Sequence, residues 1–104
     1  MKQGTTPTIS LTVCGQNLTS SKVFVTFKAD GKVLTKSGND ISMVYDDEAT
    51  VIATKLAQDE TLMFHPGMIQ VEVRWITEEG FAGGTNIAEI EVTPALLKRV
   101  IAYE

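Results

Sequence analysis

The sequence predicts a mostly-β domain: an antiparallel β-sandwich of immunoglobulin-like architecture, with six or seven strands and a short C-terminal helix. Three observations predict it. Apolar and polar residues alternate with period two along most of the chain, turn signals recur every 8 to 12 residues, and β-branched residues concentrate between those turns. A partly open barrel satisfies the same pattern and is the alternative architecture. At 104 residues the chain has the length of a single domain, 1–104, because two halves would each be too small to bury a useful core. Its 43% hydrophobic and 21% charged content is that of a folded globular chain.

The first strand is Thr8-Ile9-Ser10-Leu11-Thr12-Val13, with Ile9, Leu11 and Val13 on one face and hydroxyls on the other. Gly15-Gln16-Asn17 breaks it. Lys22 to Lys28 resumes the alternation, with Val23, Val25 and Phe27 on one side and Phe24, Thr26 and Lys28 on the other. Asp30-Gly31 supplies the positive φ of a tight hairpin turn, so Val33 to Lys36 folds back antiparallel on the second strand. Ser37-Gly38-Asn39-Asp40 is a further turn, followed by a short strand in which Ile41, Met43 and Tyr45 alternate with Ser42 and Val44.

Asp46-Asp47-Glu48 marks the next reversal. Thr50 to Leu56 carries apolar side chains on both faces, at Val51 and Ile52, which suits a central strand. Gln58 to Phe64 reads as a single helical turn, since Asp59 and Glu60 sit where a helix N-terminus favours carboxylates. After Pro66-Gly67, Met68 to Thr77 has the clearest alternation of all, with Ile69, Val71, Val73 and Trp75 in phase. Glu78 to Gly84 is a Gly-rich connection, and Thr85 to Thr93 closes a second hairpin with Ala88, Ile90 and Val92 facing one way and Ile87, Glu89 and Glu91 the other. Pro94 then stops the strand, and Leu96, Leu97, Val100 and Ile101 recur at the spacing of an amphipathic helix, with Thr93 as its cap.

No constellation of residues suggests catalysis, and the expectation is that the protein is not an enzyme and binds no cofactor or metal. One histidine and one cysteine, far apart in sequence, cannot make a zinc site of ordinary spacing. Cys14 as a packed strand-end residue and His65 as a loop residue explain themselves without a thiolate dyad. Asp46-Asp47-Glu48 lacks the spaced ligands of a calcium loop, and Glu78-Glu79 lacks neighbours that would tune a general acid or base. Gly80, Gly83 and Gly84 are followed by no lysine and join two strands, unlike a phosphate-binding loop. Asn17-Leu18-Thr19 matches a glycosylation acceptor, a pattern short enough to arise by chance.

Thirteen acidic against nine basic residues give a net charge of −4, which opposes binding to nucleic-acid phosphates or anionic lipid. The N-terminal residues lack the apolar stretch of a secretion signal, and a lone cysteine suits a reducing compartment. Surfaces are therefore the places to look for function. The edge strand just after Pro7 offers Ile9 and Leu11, Phe24 lies opposite the buried face of its strand, Phe81 lies in a loop, and Leu97 and Ile101 lie on the apolar side of the C-terminal helix. Trp75 is in phase with core residues.

The segments Gly4-Thr5-Thr6-Pro7-Thr8-Ile9, Val23-Phe24-Val25-Thr26-Phe27, Gly31 to Lys36, Gln58-Asp59-Glu60-Thr61-Leu62 and Val71-Glu72-Val73-Arg74-Trp75 together resemble small proteins encoded in bacterial prophages. The likeness spans nearly the whole chain, and the layout is similar to the β-sandwich N-terminal part of phage upper baseplate proteins. That resemblance implies a virion structural protein, a tail or baseplate accessory or assembly module. Its partners would be other phage structural proteins or copies of itself in a homo-oligomer, in the virion or, during assembly, in the bacterial cytoplasm. A carbohydrate-binding or adhesive module, with Phe81 and Trp75 stacking on sugars, is the alternative.

Overall fold

A computed structural model of the chain describes residues 1–103. It consists of β1 (Thr8–Cys14), β2 (Lys22–Ala29), β3 (Lys32–Ser37), β4 (Ile41–Asp46), β5 (Ala49–Lys55), helix α1 (Gln58–Met63), β6 (Gly67–Ile76), β7 (Ala82–Gly84) and β8 (Ala88–Val92). These eight strands, where six or seven were predicted, form two separate antiparallel sheets. One has three strands in the order β1-β5-β4; the other has β3-β2-β6, with β7 and β8 sharing the far edge of β6. Each sheet keeps two free edges, so the architecture is a sandwich and not a closed barrel.

The buried faces are those the alternation predicts. Val23, Val25 and Phe27 from β2, Ile69, Val71 and Val73 from β6, and Val92 from β8 pack over Val13 and Ile52 of the smaller sheet. Leu18, Leu56 and Phe64 close the ends from the connections. Such a core owes its cohesion to apolar area removed from water, at about 25 cal/mol per Å². Two buried threonines on β5 add polar pins. Thr50 Oγ1 accepts from Leu18 N–H (3.0 Å) and donates to the Gln16 carbonyl (2.6 Å), and Thr54 Oγ1 donates to the Asp40 carbonyl (2.9 Å). Two of the three connections between the sheets, β1–β2 and β3–β4, are thereby fastened to the central strand.

The β2–β3 hairpin pairs Ala29 with Lys32 across Asp30 and Gly31, whose φ values of 51° and 78° are those of the expected turn. The β4–β5 hairpin uses the same geometry with less suitable residues: Asp47 and Glu48 hold φ of 51° and 60°. Thr50 to Leu56 was expected as a central strand, and β5 is central in its sheet. Helix α1 is the short turn expected there. Ala57 at its N-cap has no side-chain acceptor, so only the Glu60 half of a capping box forms, with Glu60 Oε1 accepting from Ala57 N–H at 2.7 Å. The same carboxylate pairs with Lys36 Nζ at 2.7 Å. Burial pushes the Glu60 carboxyl up, but the Lys36 hydrogen bond, the Ala57 amide and the Lys36 charge outweigh it and hold it below the usual carboxylate range.

Two expectations are corrected. The connection Glu78 to Gly84 is not all loop, because Ala82–Gly84 pairs with Arg74–Ile76 as β7. Between Val71↔Ala88 and Arg74↔Gly84, two residues of β6 face Thr85, Asn86 and Ile87, a bulge in which the Thr85 Oγ1 accepts from Val73 N–H at 3.1 Å. The C-terminal helix is absent: residues 94–103 have no helical hydrogen bonding. The segment's polar groups are taken by side chains of other elements. Gln3 Oε1 accepts from Ala95 N–H (3.3 Å) and Lys98 Nζ (3.0 Å), while the Gln58 amide exchanges two hydrogen bonds with the Ile101 backbone (2.9 and 3.0 Å). So short a helix would be marginal in water without an apolar groove to receive it, and external clasps hold the segment in an irregular path with bends at Leu96, Leu97 and Arg99.

Candidate interaction surface

The outer face of the five-stranded sheet is assembled from the residues opposite the core phase of β2, β3 and β6. Register places Phe24 beside Arg74 and Ser37, and Thr26 beside Glu72 and Thr35. Phe24 is 40% exposed, and Ile76 and Ile87 are also exposed. A shallow hollow of about 430 Å³ opens there, lined by Phe24, Glu72, Arg74, Trp75 and Ile76 among others. Trp75 shares the phase of the core residues, as expected, but only partly buries. Its indole lies across Gly83, where a Cβ would stand 2.5 Å from the ring. Glycine opposite Trp75 thus lets the ring close the β7 edge of the sheet.

The second exposed apolar surface is the C-terminal segment. Leu96 and Tyr103 are fully exposed, and Leu97, Val100 and Ile101 are each a little over half exposed. Polar clasps hold this segment against the body, and Ala95 is its last buried residue. Of the predicted contact residues, Leu97 and Ile101 therefore lie on this surface, though on an irregular segment and not on a helix. Phe24 lies on the sheet face, and Phe81, 73% exposed, tips the loop stapled by the Thr77–Phe81 hydrogen bonds. Ile9 and Leu11 sit on an edge strand as expected, but their side chains point inward and pack partly buried against the core. The six residues do not form one patch.

Cys14 is exposed at the end of β1, so it does not pack as the small apolar residue expected. His65 follows α1 at the opposite end of the sandwich, about 20 Å away by the length of β1. The two cannot meet. Among the described residues no three His, Cys, Asp or Glu side chains gather in a group able to hold a metal. Among the described residues no helix is long and apolar enough to cross a membrane.

Sequence reasoning did not single out Ile76, Val44 and Tyr103 as exposed apolar residues. Val44 was readable, since it opposes the phase of Ile41, Met43 and Tyr45. Leu96 was placed with Leu97, Val100 and Ile101 on the apolar side of a helix, and it is exposed on a segment that is not helical. The clasps by Gln3 and Gln58 left no signal, because a glutamine's partner is decided by the fold. In comparisons with known proteins, no family model and no curated protein matches the chain.

Proposed function

We propose that this protein is a non-enzymatic structural module of a phage or prophage virion, a tail or baseplate accessory or assembly protein that works by binding other structural proteins or copies of itself. The observation that carries the binding part is the C-terminal segment, in which apolar side chains from Leu96 to Tyr103 stand in solvent while the backbone is held in place. Exposed apolar side chains in a run, on a segment already ordered, favour a protein partner, since burying them costs little additional ordering. The phage assignment rests on the sequence resemblance.

Purified particles induced from a lysogen carrying the gene test the reading. The protein is expected to co-sediment with tails or tail intermediates, detected by mass spectrometry. Its absence from both particles and intermediates would overturn the proposal.

One observation favours the second reading, a carbohydrate-binding module: Phe24, Trp75, Glu72 and Arg74 line one open hollow, combining rings with polar side chains. Binding on a glycan panel with a change in Trp75 emission supports that reading. An unchanged emission with every glycan rejects it.

A further inference from the structure

We infer that the C-terminal segment Lys98–Tyr103 of one copy adds as an antiparallel strand to the free edge of β4 in a second copy. This deepens the proposed function, on which it rests, by naming both surfaces of a self-assembly contact.

The edges of the two sheets are not equally available. β3 carries Lys32 and an inward-pointing Lys36 tied to Glu60, a charged edge that resists pairing. β7 has three residues. The end of β8 is already covered, because Lys2 bridges Thr93 in parallel and Gln3 N–H donates to the Thr93 carbonyl. β4 pairs only with β5 and has no lysine, proline or bulge. β1 is also unblocked, but it is neutral along its length.

Charge and shape distinguish β4 from β1. Asp46 ends β4 and the Asp47-Glu48 turn follows, so this edge has an apolar run with an acidic end. The C-terminal segment has the reverse order, Lys98-Arg99 and then Val100-Ile101-Ala102-Tyr103. Antiparallel alignment sets Lys98 opposite Asp46 and Val100 opposite the 62%-exposed Val44 on the outer face. On the inner side it sets Ile101 opposite Met43 and Tyr103 opposite Ile41. There an open groove of about 310 Å³, lined by Val23, Phe24, Ile41 and Met43, runs beside the β4 edge.

The strand must come from another copy. Ile41 pairs with Thr54, close to α1, so Asp46 lies at the far end of β4. Within one chain the segment leaves its Gln3 anchor at Ala95, near the α1 end, and Gln58 keeps Ile101 there. Reaching Asp46 with Lys98 would require three residues to cover the length of β4, about 17 Å, which exceeds their fully extended reach of about 10 Å.

Sedimentation velocity on the full chain, at rising concentration and at low and high salt, tests the contact. Concentration-dependent association is expected, weakened at least tenfold by Lys98→Glu and by Val100→Pro, both in the exposed segment and outside the core. Asp46→Lys should weaken it similarly, and a mixture of the Lys98→Glu and Asp46→Lys chains should recover association that neither shows alone. A monomer at every concentration overturns the inference, as does association indifferent to these changes. Either result leaves the virion reading to be decided by co-sedimentation with particles.

Discussion

Gly83 and Glu60 show how much can rest on a single side chain or its absence. The indole of Trp75 occupies the space a Cβ at Gly83 would need. Gly83→Ala is expected to cost about 1–3 kcal/mol, the usual penalty of forcing an extra methyl into a packed site, with Trp75 emission shifting to the red as the ring is displaced. Chemical denaturation followed by fluorescence measures both. Glu60 governs an acid-dependent increment of stability. Its folded carboxyl is held below the unfolded value, so the stabilisation is complete above the unfolded range and is lost as pH falls through the folded one. Glu60→Gln is expected to flatten the acid limb of the stability profile as pH falls through and below the usual carboxylate range, and to cost up to about 1 kcal/mol at neutral pH, as for a partly exposed pair. An unchanged acid limb in thermal melts would show that the pair does not contribute.

At the scale of elements, two hairpins with the same turn geometry were built from different residues. Asp30-Gly31 suits a turn in which both central residues have positive φ, and this reversal was predictable from those two letters. Asp47-Glu48 adopts the same geometry although glutamate has no preference for it. Glu48→Gly should relieve that strain and raise stability by about 1 kcal/mol, visible as a higher denaturation midpoint with an unchanged slope. A loss of stability would mean that Glu48 makes a compensating contribution in the folded state. The bulge at Thr85 and the short β7 illustrate the opposite situation. Gly83-Gly84 has weak strand propensity, and β6 and the Trp75 ring impose pairing on it from outside.

Across the whole molecule, the two ends of the chain are joined by backbone bonds between Met1–Gln3 and Glu91–Thr93 and, beyond them, by the buried side-chain amide of Gln3. Gln3 Nε2 donates to the Phe64 carbonyl at 2.8 Å, while its oxygen accepts from Ala95 and Lys98. Gln3→Ala leaves a buried carbonyl and amide without partners, and a loss of about 2 kcal/mol is expected. Hydrogen exchange should then show the Ala95 and Ile101 amides opening while those of β2 and β6 stay protected. Equal exchange in all of them would mean that the segment and the core unfold as one unit.

The sequence by itself determined the class of fold, the inward faces of β2 and β6, the β2–β3 turn and the single turn of α1. Each of these is a local matter, since period-two alternation, an Asp-Gly pair and acids at a helix start act over a few residues. Phe24, opposite the buried face of its strand, and Phe81, in a loop, were read as contact-surface candidates, and both are exposed. Tertiary structure decided the rest. Leu96, Leu97, Val100 and Ile101 have helical spacing, but spacing alone does not supply a surface to bury against. The backbone of that segment went instead to Gln3 and Gln58, which stand 92 and 43 residues away from their partners Ala95 and Ile101. Which sheet edges are blocked and which stay open was also decided in three dimensions, because an edge is defined by the strands that fail to pair with it.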